Sequence, residues 1–154
     1  MKDDVENTNV RLQIVLNSAK VGIFEYDVVE RKHVYLNTHW SEIFGFEKNY
    51  IESNTRDIMA WYENRIHVDD LEKRTRLYEK LLLGKIDEYN LEIRVLNSSD
   101  EYKWVKSFSK AVKESEGQSV KKIIHTLVDI SNEKEKTFEV EALKNKLKEL
   151  DTKK

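Results

Sequence analysis

The sequence predicts an α+β domain: a five-stranded antiparallel sheet, two strands and then three, with helices on one face and a further helix at each end. Three observations lead to it. From Glu88 to Ser131 apolar residues recur at every second position in three runs separated by two polar turns, the period of strands with one buried face. A shorter alternation of the same kind covers Gly22 to Asn37. Before, between and after these runs the apolar spacing changes to three and four, the helical period.

Leu12, Val15, Leu16 and Ala19 place an apolar stripe on a helix over residues 5–20, which Gly22 breaks. Gly22 to Val28 reads as a strand with Phe24, Tyr26 and Val28 on one face, and Lys32 to Asn37 as its hairpin partner across Glu30-Arg31. Asn37 or Thr38 can cap a short helix carrying Trp40, Ile43 and Phe44, closed by Gly45 where a left-handed residue is favoured. The pattern weakens from Phe46 to Ile66, and residues 55–64 hold a helical turn or two presenting Ile58, Met59, Trp61 and Tyr62. Asp69, with Glu72 at the spacing of a capping box, starts a longer helix whose stripe is Leu71, Leu77, Tyr78, Leu81 and Leu82. Gly84 ends it.

The first of the three later strands alternates Tyr89, Leu91, Ile93 and Val95 with polar residues, and Asn97 to Asp100 are all turn formers. The second carries Trp104, Phe108 and Val112 on one face and Val105, Ser107, Ser109 and Ala111 on the other. Residues 114–118 turn the chain again, and Val120 to Ile130 is rich in β-branched residues. Ser131 or Asn132 can then cap a last helix, the latter with Glu135 at capping-box spacing. Along that helix Val140, Leu143, Leu147 and Leu150 keep the a/d spacing of a coiled coil with charges nearly everywhere else. The division is therefore a flanking helix over 1–20, a core over 21–131 and a C-terminal helix over 132–154.

Composition narrows the class. A chain of 154 residues holds one core. A net charge of −2 with 36% charged residues gives no basic field for nucleic acid. No apolar run approaches the ~20 residues that span a bilayer, and Met1-Lys2-Asp3-Asp4 starts no signal peptide, so a cytoplasmic location is expected. Without cysteine there are no disulfides, thiolate metal sites or thiol nucleophiles. His33, His39, His67 and His125 are scattered, with no paired spacing for zinc. His67 with Asp69 and Asp70 fits a helix start, carboxylates at the positive end of the macrodipole, better than a metal or acid–base site. Asp129 and Ser131 form no spacing-defined triad with a histidine, so no catalytic residue is assigned.

Four motifs in order resemble the PAS (Per-Arnt-Sim) sensory domains over about Leu12 to Glu135. Gly22-Ile23-Phe24-Glu25-Tyr26-Asp27 resembles the family's first strand, and Ile43-Phe44-Gly45-Phe46 its short helix ending in Leu-Gly-Tyr. Arg65-Ile66-His67-Val68-Asp69-Asp70 resembles the His-Pro-Asp-Asp lead-in to the long helix, with Val68 in place of proline. Glu101-Tyr102-Lys103-Trp104-Val105 and Val128-Asp129-Ile130-Ser131 resemble the strand tryptophan and the closing Asp-Ile-Thr, with Ser131 replacing threonine. Ser98-Ser99-Asp100 replaces the family's Asp-Gly turn, and His125 stands where many members have glycine.

The resemblance implies a small-molecule pocket between the inner face of the sheet and the helices. Tyr26, Trp61, Tyr78, Leu82, Leu91, Ile93, Trp104, Phe108 and His125 are the residues that could line it. The same residues serve equally as a core filled to ordinary density, so both alternatives stand. The photosensory branch forms its flavin adduct through an Asn-Cys-Arg-Phe motif; the lack of cysteine excludes that adduct but not non-covalent flavin. Haem-binding members use a histidine on the long helix, where this chain has none between Asp69 and Leu83, so haem is not expected. The resemblance further implies a sensory module without catalysis of its own. It would dimerise through Val140, Leu143, Leu147 and Leu150, and relay a signal through Asp129, Ile130 and Ser131 to a kinase, cyclase or chemoreceptor output, as in two-component systems. The alternative is a ligand-free dimerisation or interaction module. The end at Asp151-Thr152-Lys153-Lys154 is what an excised piece of a longer protein would show.

Overall fold

The computed structural model describes residues 2–153, so Met1 and Lys154, the outermost residues of the two flanking segments, lie outside it. The elements run α1 (Lys2–Ala19), β1 (Gly22–Asp27), β2 (Lys32–Leu36), α2 (Thr38–Phe44), α3 (Lys48–Asn54), α4 (Ile58–Glu63), α5 (Val68–Leu82), β3 (Glu88–Leu96), β4 (Tyr102–Val112), β5 (Lys122–Asp129) and α6 (Ser131–Thr152). The strands form one five-stranded sheet in the order β2-β1-β5-β4-β3, and all four pairings are antiparallel. The predicted α+β class and strand count hold.

Two close approaches set the first half of the domain. Asn37 caps α2 by accepting from the Trp40 amide (3.0 Å). Its side chain also accepts from the Ile23 amide (2.9 Å) and donates to the Val21 carbonyl (2.9 Å), tying the helix to β1. A methyl group on Gly22 would stand 2.7 Å from the Trp40 backbone, so only glycine lets α2 lie that close to the strand. Gly45 has φ +79°, and a side chain there would collide with Ser98, whose amide donates to the Phe44 carbonyl at 2.8 Å.

The core fills one face of the sheet, where Phe24, Ile93, Val95, Val105, Ile123 and Leu127 meet Trp40, Phe44, Ile51, Ile58 and Leu81 of the helices. On β4 the buried face is Val105, Ser107 and Ser109, the less apolar of the two faces the sequence offers. The helix α3 went unrecognised in the weak stretch because it buries only Ile51. The predicted start of α5 needs correction: Asp69 does not cap it. His67 does, accepting from the Asp69 amide through Nδ1 at 3.0 Å, and Glu72 pairs with Arg76 one turn on.

The joint into α6 is also built differently from the expectation. Neither Ser131 nor Asn132 caps the helix; the Asp129 carboxylate accepts from the Ser131 amide at 2.9 Å, and the Ser131 hydroxyl is buried without a partner. Neither α1 nor α6 buries a residue against the rest of the chain.

Candidate functional site

A cleft of about 530 Å³ opens between β1, α4 and α5. Its walls are Tyr26, Val28, Met59, Tyr78 and Leu82, and its polar rim is Arg31, Asp57 and Glu63. Of the nine residues expected to line a pocket, the structure brings three to it: Tyr26, Tyr78 and Leu82. The volume is in the range of small-molecule sites.

The other six lie elsewhere. Leu91 and Ile93 are core on β3. Trp61 turns away, against Phe44 and beneath the Arg65 guanidinium at 4.4 Å. Trp104 and Phe108 are on the opposite face of the sheet, directly across from Arg94 and Asn90. That correction has a steric cause: the inner face of β4 is already covered from α4 and α5, and small serines stand where bulky residues would collide. His125 is on the inner face, 3% exposed, hydrogen-bonded through Nδ1 to the Ser109 hydroxyl at 2.6 Å. The rings of Phe24 and Tyr78 flank it, each 5.8 Å away. Burial, helped by the nearby Arg74 charge, lowers its pKa to about 3.

One residue behind the cleft wall was not singled out from sequence. Arg74 is 1% exposed in the middle of α5, three residues after Leu71 and four before Tyr78, on the stripe that should be apolar. That position was the available signal. Its guanidinium lies over the rings of Tyr78 (4.4 Å) and Tyr62 (5.4 Å), an attractive cation–π geometry. The Glu63 carboxylate is 3.3 Å from Nη1, and Nη2 reaches the Met59 sulfur at 3.4 Å. Nε has no partner. Burial pushes the Tyr62 hydroxyl up to about 12 against the pull of Arg74, and raises Tyr78 in the same way.

On the outer face a chain of contacts leads from α5 to α6. Asp70 holds Arg94 through Nε and Nη2, each at 2.9 Å, and accepts from its amide at 2.8 Å. Burial opposes the charge on Asp70, but the Arg94 hydrogen bonds outweigh it and lower its pKa. The Arg94 guanidinium lies 4.9 Å from the Trp104 ring, and Lys134 of α6 lies 4.6 Å from the same ring. Lys134 also pairs with Glu92 at 2.6 Å. The Ile130 amide donates to the Trp104 carbonyl at 2.9 Å, and Asp129 pairs with Lys103 at 3.6 Å. Beyond this joint Val140, Leu143, Leu147 and Leu150 are exposed along α6.

Among the described residues no group of three or more His, Cys, Asp or Glu is placed to hold a metal ion. None of their helices is long and apolar enough to cross a membrane.

Comparison with known proteins gives a consistent result. The sequence profile of the PAS fold matches residues 33–124. No curated protein matches the chain. Among solved structures, a sensory box histidine kinase/response regulator from Burkholderia thailandensis is similar with a TM-score of 0.70 and 22% identity, covering 90% of this chain and 98% of that one. The N-terminal domain of a diguanylate cyclase with PAS/PAC sensor from Marinobacter aquaeolei is similar with a TM-score of 0.60 and 18% identity, covering 73% and 97%. The LOV domain of a blue-light activated histidine kinase from Erythrobacter litoralis is similar with a TM-score of 0.53 and 12% identity, covering 71% and 95%. At these identities the likeness is one of fold.

Proposed function

The chain belongs to the PAS family, and from that premise we propose that it is a sensory module whose β1–α4–α5 cleft takes a small molecule and whose α6 carries the response to an output domain. Histidine kinase and diguanylate cyclase are the outputs that the similar structures suggest. Any catalysis would belong to that output and not to this domain.

The observation that carries this reading is the run of contacts from the cleft to the exit helix. The helix α5 supplies Tyr78 and Leu82 to the cleft, and its first turn grips Arg94 through Asp70. Arg94 and Lys134 share Trp104. A ligand that favours one position of α5 would therefore bias the seating of α6, and the shift it can produce is limited to its difference in affinity for the two arrangements. Asp129, Ile130 and Ser131 form the joint in this scheme, and Val140, Leu143, Leu147 and Leu150 the face where two copies pair. The chain contains no cysteine, so a flavin would be held without a covalent adduct.

Native mass spectrometry of the chain purified from cells, paired with hydrogen exchange, tests the proposal. The expected result is a small molecule released on unfolding, with exchange over residues 131–140 changing when it is removed. A bare chain whose exchange is unaffected by a metabolite extract would leave the second reading, a ligand-free dimerisation module, which the exposed leucines of α6 favour.

A further inference from the structure

Arg74 is a charge the fold does not satisfy. A buried guanidinium has five N–H donors and is costly to desolvate unless they are met. Here Nη1 has one carboxylate oxygen of Glu63 at 3.3 Å, Nη2 has only the weakly accepting Met59 sulfur, and Nε has nothing. Of the four side chains against the guanidinium, Met59, Glu63 and Tyr78 also line the cleft, while Tyr62 lies on the core side. The site is thus a cation one side chain deep behind a cavity. The group now on it, Glu63, is 39% exposed at the last residue of a short helix, so it can swing into water.

We propose that the cleft binds a small organic monocarboxylate, whose carboxylate takes the place of Glu63 on Arg74 while its apolar part lies along Val28, Met59 and Leu82. The proposal rests on the sensory reading of the same cleft and names its ligand class. A carboxylate fits the planar guanidinium with two parallel hydrogen bonds, which the single long contact to Glu63 does not supply. The charge should be single. Asp57 and Glu63 stand on the rim against Arg31 and Arg74, so a dianion such as phosphate meets more repulsion than a monoanion. Exchanging one carboxylate for another keeps the buried charge neutralised throughout. It also frees Glu63 from α5, so the same event that fills the cleft loosens α4 from the helix that grips Arg94.

The test is titration calorimetry on the 154-residue chain with octanoate and phenylacetate, their uncharged amides, and inorganic phosphate. Both acids should outbind their amides, and phosphate should not bind. Glu63→Gln removes the internal competitor on an exposed side chain, and should tighten binding of the acids by about tenfold, the scale of one hydrogen bond to a charged group. Arg74→Met should abolish the preference for acid over amide; should it fail to fold, Glu63→Gln still decides. Acids and amides binding alike, phosphate binding in preference, or neither acid binding to Glu63→Gln would each overturn the proposal. If a copurified neutral molecule is nevertheless found by native mass spectrometry, the sensory reading survives and the carboxylate assignment alone falls.

Discussion

At the scale of single residues, His125 ties the stability of the domain to pH. Its pKa is lowered from 6.5 to about 3 by burial, so between those values the unfolded chain takes up a proton that the folded one refuses. Folding stability attributable to His125 is complete above about pH 6.5 and falls as the pH drops toward 3. At pH 5 the loss is about 2 kcal/mol, from ~1.4 kcal/mol per pH unit for one proton. Melting temperatures of the wild type and His125→Gln at pH 7 and pH 5 check this: the wild type should lose more on acidification, and equal losses would remove His125 from the account. Asp129 and Ser131 make a pair of opposites. Asp129→Ala removes the acceptor for the first amide of α6 and should cost about 1 kcal/mol in urea unfolding. Ser131→Ala removes a hydroxyl that bonds to nothing and should be neutral or mildly stabilising. The reverse order would return the capping role to Ser131.

At the scale of elements, α6 is a helix held only at its root. Past Lys134 its apolar residues have no cover: Leu143 is 61% and Leu147 63% exposed. A helix in this state gains little from propensity alone and much from a partner. If copies pair through this face, as proposed, sedimentation of Leu143→Lys with Leu147→Lys should show a monomer where the unaltered chain associates, while the melting of the sheet stays unchanged. An unaltered association would show that copies pair through another surface.

The elements also show what could be read from the chain. Strands and the longer helices follow directly from period two and from stripes of three and four, and Asn37 and Gly45 act as their residue types predict. What escaped was whatever depends on the opposing layer. The serine face of β4 is the inner one, with Tyr62 of α4 set against Ser107, a fit to the opposing layer that no local pattern encodes. Trp104 and Phe108, the more hydrophobic face, went outward for the same reason. Three of the nine residues that the resemblance named, Tyr26, Tyr78 and Leu82, meet at one cleft, whereas Arg74, a charge on a stripe that should be apolar, drew no reading from the sequence. Similarly, a hydroxyl at Ser131 looked like a cap because capping is assigned by residue type, while the neighbouring Asp129 reached the amide first.

For the whole molecule, the strand order matters most. The first and last strands, β1 and β5, are neighbours in the middle of the sheet, with Gly22 opposite Leu127. As a result the end of α1 and the start of α6 share one small hollow, lined by Ala19, Lys20, Asp129, Ser131 and Asn132. The chain thereby enters and leaves the core of the domain at one place. Phase at that seam then becomes an adjustable quantity: each residue added after Asn132 would turn the leucine stripe of α6 by about 100° about its own axis while leaving the cleft untouched. The shape of the cleft and the direction in which the leucine stripe faces are therefore separable, and evolution or design can reset the second without disturbing the first.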